Sequence, residues 1–175
     1  MRCRLLVLFF ICIFLFCSGG MPGEVIGMGT LRITSPVFGD NGHIPRLYTC
    51  DGKDVNPALM IENVPGGAKS LALIVDDPDA PAGTWVHWVL WNIDPRLKEI
   101  KENSVPPKSV QGKNDFGKNN YGGPCPPSGT HRYFFKFYAL DTVLNLSPDS
   151  TKFRLEKEMK GHILAEGRIV GLYKR

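Results

Sequence analysis

LALIVDDPDAPAGTWVHWVLWNI, residues 71–93, decides how this chain folds. Leu71 to Val75 is apolar without a break, the pattern of a central strand covered on both faces. Val86 to Ile93 reads as a second strand. The nine residues from Asp77 to Trp85 between them hold two aspartates, two prolines and a glycine, a turn composition. Pairing of the two segments sets Asp77 at the sheet edge where Trp85 and His87 enter. Side chains alternate along a strand, so Trp85, His87, Val89 and Trp91 are expected on one face and Val86, Trp88, Leu90 and Asn92 on the other.

Other strand-like segments flank this pair: Thr30 to Thr34, Ala58 to Glu62, Tyr133 to Leu140 and Arg168 to Tyr173, with Ser70 to Asp76 as the extent of the first strand above. Each is short and bounded by Gly, Pro, Asn or Asp. One helix is expected from about Ser150 to His162, with Leu155, Met159 and Ile163 on one stripe and Asp149 or Ser150 as N-cap. Between Pro95 and Pro127 runs a stretch rich in Lys, Asn, Gly and Pro, too long for an ordinary connection and of the kind that carries function. The expected fold class is all-β dominated: an antiparallel β-sandwich with few short helices, one near the C-terminus, and long loops at one end.

Composition agrees with a single folded domain. The chain has 175 residues, 43% hydrophobic and 22% charged, enough apolar material for a core. Its net charge of +4 contains no run of like charges, so a nucleic-acid footprint is not expected. Nineteen Gly and fourteen Pro without a fixed period disfavour a helical bundle.

Residues 1–20, MRCRLLVLFFICIFLFCSGG, are two arginines, an apolar run from Leu5 to Cys17 and three small residues. This is a secretory signal layout, too short to span a bilayer comfortably. The expectation is a signal peptide over 1–20, a single domain over 21–175, and export to a periplasmic or extracellular space. Contact with a membrane is expected only through that segment if it stays uncleaved. Of five cysteines, Cys50 and Cys125 lie outside it. Two small buried thiols are the simpler expectation for them, although export permits a bridge.

Two constellations bring chemistry. In the first, Asp77 and Asp79, separated by Pro78, crowd negative charge near His87, which is expected to raise the imidazole pKa. The same residues also suit an ordinary Asp-Pro turn beside a core histidine. In the second, YGGPCPPSGTHRYFFKFYAL over 121–140, prolines stiffen a glycine loop able to hold amide N–H groups outward. His131, Tyr133, Phe135 and Phe137 then fall on one strand face, opposite Arg132, Phe134, Lys136 and Tyr138. A proline-rich turn before an aromatic core strand explains that pattern equally well. His43 and His162 are expected to be structural.

DPDAP, then WVHW, then GPCPPSGTHRY together resemble the phosphatidylethanolamine-binding protein family, specifically its bacterial and archaeal Raf kinase inhibitor-like branch. The resemblance extends from Leu31 through YTCDGKDVNPAL to GHILAEGRIVGLYKR. It implies a compact, mostly antiparallel β fold and a small pocket near the sheet ends for phosphate and phosphorylated head groups. Asp77, Asp79, Trp85 and His87 match the family's first motif, His131 and Tyr133 its second, and Gly123 and Pro124 its glycine-proline loop. Animal members carry a C-terminal helical extension absent after GLYKR, so their ligand breadth and kinase partners are not transferred.

The function expected from sequence is therefore an exported binding domain for a small anionic or phosphorylated ligand, without catalysis, cofactor or metal. His87 and His131 serve as charged donors, Asp77 orients an imidazole, Tyr133 adds a hydroxyl, and amides of Gly122 and Gly123 form a nest. One alternative is a metal-assisted hydrolase using the same Asp and His residues. Another is a regulator or inhibitor of an exported protein, contacting it through the Lys98–Asn120 loop.

Overall fold

The computed structural model describes residues 29–175. The expected signal segment, with Cys3, Cys12 and Cys17, lies outside them.

Two sheets pack face to face. The larger contains β1 (Gly29–Thr30), β3 (Gly42–His43), β5 (Ser70–Asp77), β6 (Trp85–Ile93), β8 (Val110–Gln111), β9 (Thr130–Leu140) and β10 (Ile163–Lys174). Its order is β1-β10-β9-β5-β6-β8, with β3 also on β10. The smaller joins β2 (Arg32–Thr34), β4 (Leu59–Glu62) and β7 (Glu99–Ile100). Every pairing is antiparallel except β1 and β3, which run parallel to β10. The expected sandwich is present, amended by these two short parallel additions. The segment read as a single strand from Thr30 to Thr34 divides at Leu31, whose N–H still bonds the Glu166 carbonyl at 2.8 Å before the chain crosses to the smaller sheet.

The larger sheet has a core on each face, which explains why β5 is buried along its whole length. Between the sheets, Leu71, Leu73, Val75, Trp88, Leu90, Phe135 and Phe137 pack against Ile33, Leu59, Ile61 and Ile100. On the opposite face, Ala72, Ile74, Val86, Val89 and Trp91 meet Leu144, Leu155 and Met159. The last two come from α1 (Lys152–Met159), the single α-helix among the described residues, which is shorter than expected at both ends. Thr151, rather than Asp149 or Ser150, occupies its N-cap position, and Ile163 opens β10 instead of completing the helical stripe. Among the described residues no helix is long and apolar enough to cross a membrane.

Strict alternation fails in β6, for an identifiable reason. Val75 pairs with Trp88 while Asp76 pairs with Val86, leaving His87 as an extra residue. A second irregularity falls at Asn92, which takes the left-handed conformation at φ 56°. Val86 therefore sides with Val89 and Trp91, and Trp88 with Leu90 and Ile93. Bulges of this sort re-aim side chains beside functional sites.

Candidate functional site

The bulge lies where the first sequence motif meets the second. β5 pairs with β6 on one side and β9 on the other, so the ends carrying Asp77, His87 and His131 converge at one edge of the sheet. Alternation holds along the start of β9: His131, Tyr133, Phe135 and Phe137 are buried, while Arg132 is exposed. A cavity of about 240 Å³ opens there, lined by Asp77, Trp85, His87, His131, Tyr133 and Phe116, with Ala80, Pro81, Cys125, Pro126 and Pro127. That volume lies below the usual range of about 300–1,000 Å³ for drug-sized ligands and suits a small group. A larger groove of about 830 Å³ lies at the opposite end of β5 and β6, around Lys69, Asn92, Pro106 and Val143. It holds no histidine, and its acid, Asp94, is tied to Arg96 at the surface.

The carboxylates and imidazoles pair differently from the sequence expectation. Asp77 accepts a hydrogen bond from His131, Nδ1 to Oδ2 at 2.7 Å, with both side chains at least nine-tenths buried. Asp79 turns outward into the fork of Arg132, at 2.6 and 2.9 Å, and takes the Arg132 N–H as well. That guanidinium holds the Asp79 pKa down at about 2. Asp79 thus anchors the turn and does not line the cavity.

His87 is the principal correction. Its Nδ1 lies 2.7 Å from the Gly122 carbonyl, and its ring meets those of Tyr133 and Phe116 edge-on at 5.2 and 5.4 Å. Burial pushes its pKa below the usual value, overriding the upward pull of the Gly122 carbonyl and of Asp77. The expected rise does not occur because desolvation disfavours the charged ring more than the nearby carboxylate favours it.

The glycine loop has a structural role that the sequence reading did not assign. The Gly122 N–H bonds the His87 carbonyl at 3.0 Å, and the Gly123 N–H bonds Asp54 Oδ1 at 2.6 Å. The Pro124 carbonyl accepts from the Cys50 N–H at 3.1 Å. Both amides of the expected nest are thus satisfied internally, and Gly122, Gly123 and Pro124 stand behind the cavity wall. The chain needs glycine at 123 because a Cβ would approach the Tyr48 carbonyl to 2.5 Å. Cys50 and Cys125 form a disulfide with Cα atoms 5.4 Å apart, in place of the expected free thiols. It ties the cavity's proline-rich rim to the segment after Tyr48.

Tyr133 is fully buried, and its hydroxyl makes no well-formed hydrogen bond among the described residues, although Asp77 and the Cys125 backbone lie close to it. Burial, and then the charge of Asp77, push its pKa up, so the phenol stays protonated. A buried hydroxyl without a partner costs roughly 1–3 kcal/mol, and Tyr133 lines the cavity beside a histidine–carboxylate pair.

Phe116 escaped the sequence reading. Its ring packs edge-on against Trp85 and His87, both at 5.4 Å, forming one cavity wall. Buried Asn114 places it: Oδ1 accepts the N–H of Phe116 and Lys118, and Nδ2 donates to the carbonyls of His87 and Asn120. An Asn three residues before a Gly marks a turn, but nothing local says that Phe116 reaches a site built from β5, β6 and β9. Among the described residues no three His, Cys, Asp or Glu side chains converge as a metal site would require.

Known proteins resemble this one over most of the chain. The sequence profile of the family described as phosphatidylethanolamine-binding protein matches residues 34–174. A UPF0098 protein of Methanothermobacter thermautotrophicus is 51% identical over 150 residues, covering 83% of this chain and 99% of its own. A UPF0098 protein of Pyrococcus abyssi is 48% identical, covering 100% of this chain and 99% of its own. Among solved structures, a putative phosphatidylethanolamine-binding protein homologue from Chlamydia trachomatis superposes with a TM-score of 0.81 at 39% identity, covering 84% of this chain and 99% of its own. Escherichia coli YbcL, described as a new member of the mammalian PEBP family, gives 0.79 at 29% identity, with the same coverage.

Proposed function

The chain belongs to the phosphatidylethanolamine-binding protein family, and from that premise we propose that it binds a small phosphorylated or similar oxyanionic ligand in the cavity beside Asp77 and His131. The observation that carries this reading is the Tyr133 hydroxyl, buried, protonated and unpartnered beside the His131–Asp77 pair. A ligand oxygen would satisfy that donor. His131, once doubly protonated, is a cation neutralised by Asp77 and still has Nε2–H to give. Donors of this kind contribute about 1.5–3 kcal/mol each when one partner is charged. Two of them, from Tyr133 and His131, support weak to moderate affinity for a head-group-sized anion. His87 is not a second charged donor in this reading, since burial disfavours its charged form.

The reading is of binding without turnover, in an exported protein. Its support for export is the N-terminal apolar run and the Cys50–Cys125 bridge, which suits an oxidising compartment. Calorimetric titration of the domain with inorganic phosphate at pH 6 tests the binding function. Saturable binding that His131→Ala abolishes, with the melting temperature preserved, is the expected result. Absence of heat at millimolar phosphate overturns it.

A further inference from the structure

The hydrogen-bond direction at His87 carries a statement about which oxyanions fit. A carbonyl oxygen only accepts, so the 2.7 Å contact with Gly122 places the ring hydrogen on Nδ1. The neutral ring then presents Nε2 as a bare lone pair, and no donor among the described residues reaches it. Rotation of the imidazole is opposed by that bond and by the Tyr133 and Phe116 rings set edge-on against it.

The groups facing His87 do not favour a second proton. Asp77 from β5 is committed to His131, and Asp54, across the glycine loop, is committed to the Gly123 N–H. Tyr133 from β9 is a neutral phenol, and His131 from the same strand competes for the charge of Asp77. His87 is only 3% exposed. With His131 protonated, as the binding function proposed above has it, the cavity offers donors at Tyr133 and His131 and an acceptor at His87.

We propose that this site selects oxyanions that retain an acidic proton near neutral pH, namely phosphate and phosphate monoesters, against sulfate and phosphodiesters, which carry none. This rests on the anion-binding function proposed above and adds the hydroxyl that the anion must bring. A P–O–H group donates to His87 Nε2 while its unprotonated oxygens accept from Tyr133 and His131. A fully deprotonated oxyanion sets an oxygen lone pair against the nitrogen lone pair. Sites that hydrogen-bond a ligand hydroxyl reject analogues lacking it far more strongly than apolar pockets discriminate by size. The ligand class follows: a small monoester in preference to an intact diester head group.

The test is a set of calorimetric titrations of the full folded domain at pH 6 with inorganic phosphate, methyl phosphate, dimethyl phosphate and sulfate. Dimethyl phosphate matches the single negative charge of the methyl phosphate monoanion and lacks only the proton. Phosphate and methyl phosphate are expected to bind, with dimethyl phosphate and sulfate weaker by tenfold or more. Binding of either proton-free anion within threefold of phosphate overturns this selectivity and leaves the anion site standing. Binding of none of the four overturns both. A second readout is independent of any variant's folding: nitrogen-detected NMR of the free protein is expected to show His87 protonated at Nδ1 and bare at Nε2. The opposite tautomer, or an imidazolium at pH 6, overturns the proposal.

Discussion

His131 Nδ1 stands 2.7 Å from Asp77 Oδ2 although the two residues are 54 positions apart in sequence. Neighbouring strands β5 and β9 bring them together, and the pair is shielded from solvent on nearly all sides. A carboxylate so placed fixes the orientation of the ring and the nitrogen that carries its hydrogen. Asp77→Asn keeps an oxygen for Nδ1 to reach but removes the charge. Phosphate affinity at pH 6 should fall about 10- to 100-fold, the loss of roughly one charge-assisted hydrogen bond. Calorimetry on the variant, with its circular dichroism spectrum as a fold control, decides this.

Tyr133→Phe separates stability from binding. The hydroxyl is buried without a partner, so its removal should leave the domain as stable or stabilise it by about 1 kcal/mol, seen as a Tm higher by roughly 2–4 °C. Phosphate binding should weaken. A lower Tm with unchanged binding would mean that the hydroxyl serves the fold.

Acid sensitivity should follow Asp79. Its folded pKa is depressed to about 2 by Arg132, below the ordinary 3.8. The ionised form is therefore the one the fold favours. Its contribution is present above pH 3.8 and is lost as pH falls through about 2. In Arg132→Ala the Asp79 carboxyl should titrate near its ordinary value, and the acid unfolding midpoint should move to higher pH. Carbon-detected NMR titration and acid melts measure the two effects separately.

Asp76 holds a buried ion-pair network on the opposite face of β5. The carboxylate is fully buried, with Lys136 and Lys152 at 2.8 and 2.6 Å. Asp76→Ala should destabilise by about 3 kcal/mol, the low end for breaking a buried pair, because both lysines keep some access to water. Urea denaturation provides the measurement, and phosphate binding should be unaffected.

The disulfide offers a chemical check. A thiol reagent should find no reactive Cys50 or Cys125 in the native domain. Replacing both by Ser should cost about 2–4 kcal/mol, since the bridge closes a loop of 75 residues in the unfolded chain. Free thiols at both positions in protein recovered from its native compartment would argue against export.

How much of this was legible depended on how local each signal was. The unbroken Leu71–Val75 run marked the central strand, because only a strand covered on both faces tolerates such a sequence. The alternation from His131 to Phe137 placed histidine and tyrosine on the buried face, as observed. Both motifs stood out by residue type and spacing, so the members of the site were largely recognisable before their arrangement was.

The arrangement itself belonged to the tertiary structure. Sequence proximity linked Asp77 to His87, ten residues away, whereas the sheet order gave Asp77 to His131 and Asp79 to Arg132. The bulge at His87, the use of both glycine amides inside the wall, the arrival of Phe116 and the closure of Cys50 on Cys125 were equally hidden. The physical reason is common to all of them. Periodicity and turn chemistry act within a few residues, and they fix which segments become strands and which faces are buried. A hydrogen bond or a pKa depends on what lies within a few ångströms and on how much water is excluded. For this chain those quantities are set by strands that are neighbours in the sheet and far apart in the sequence.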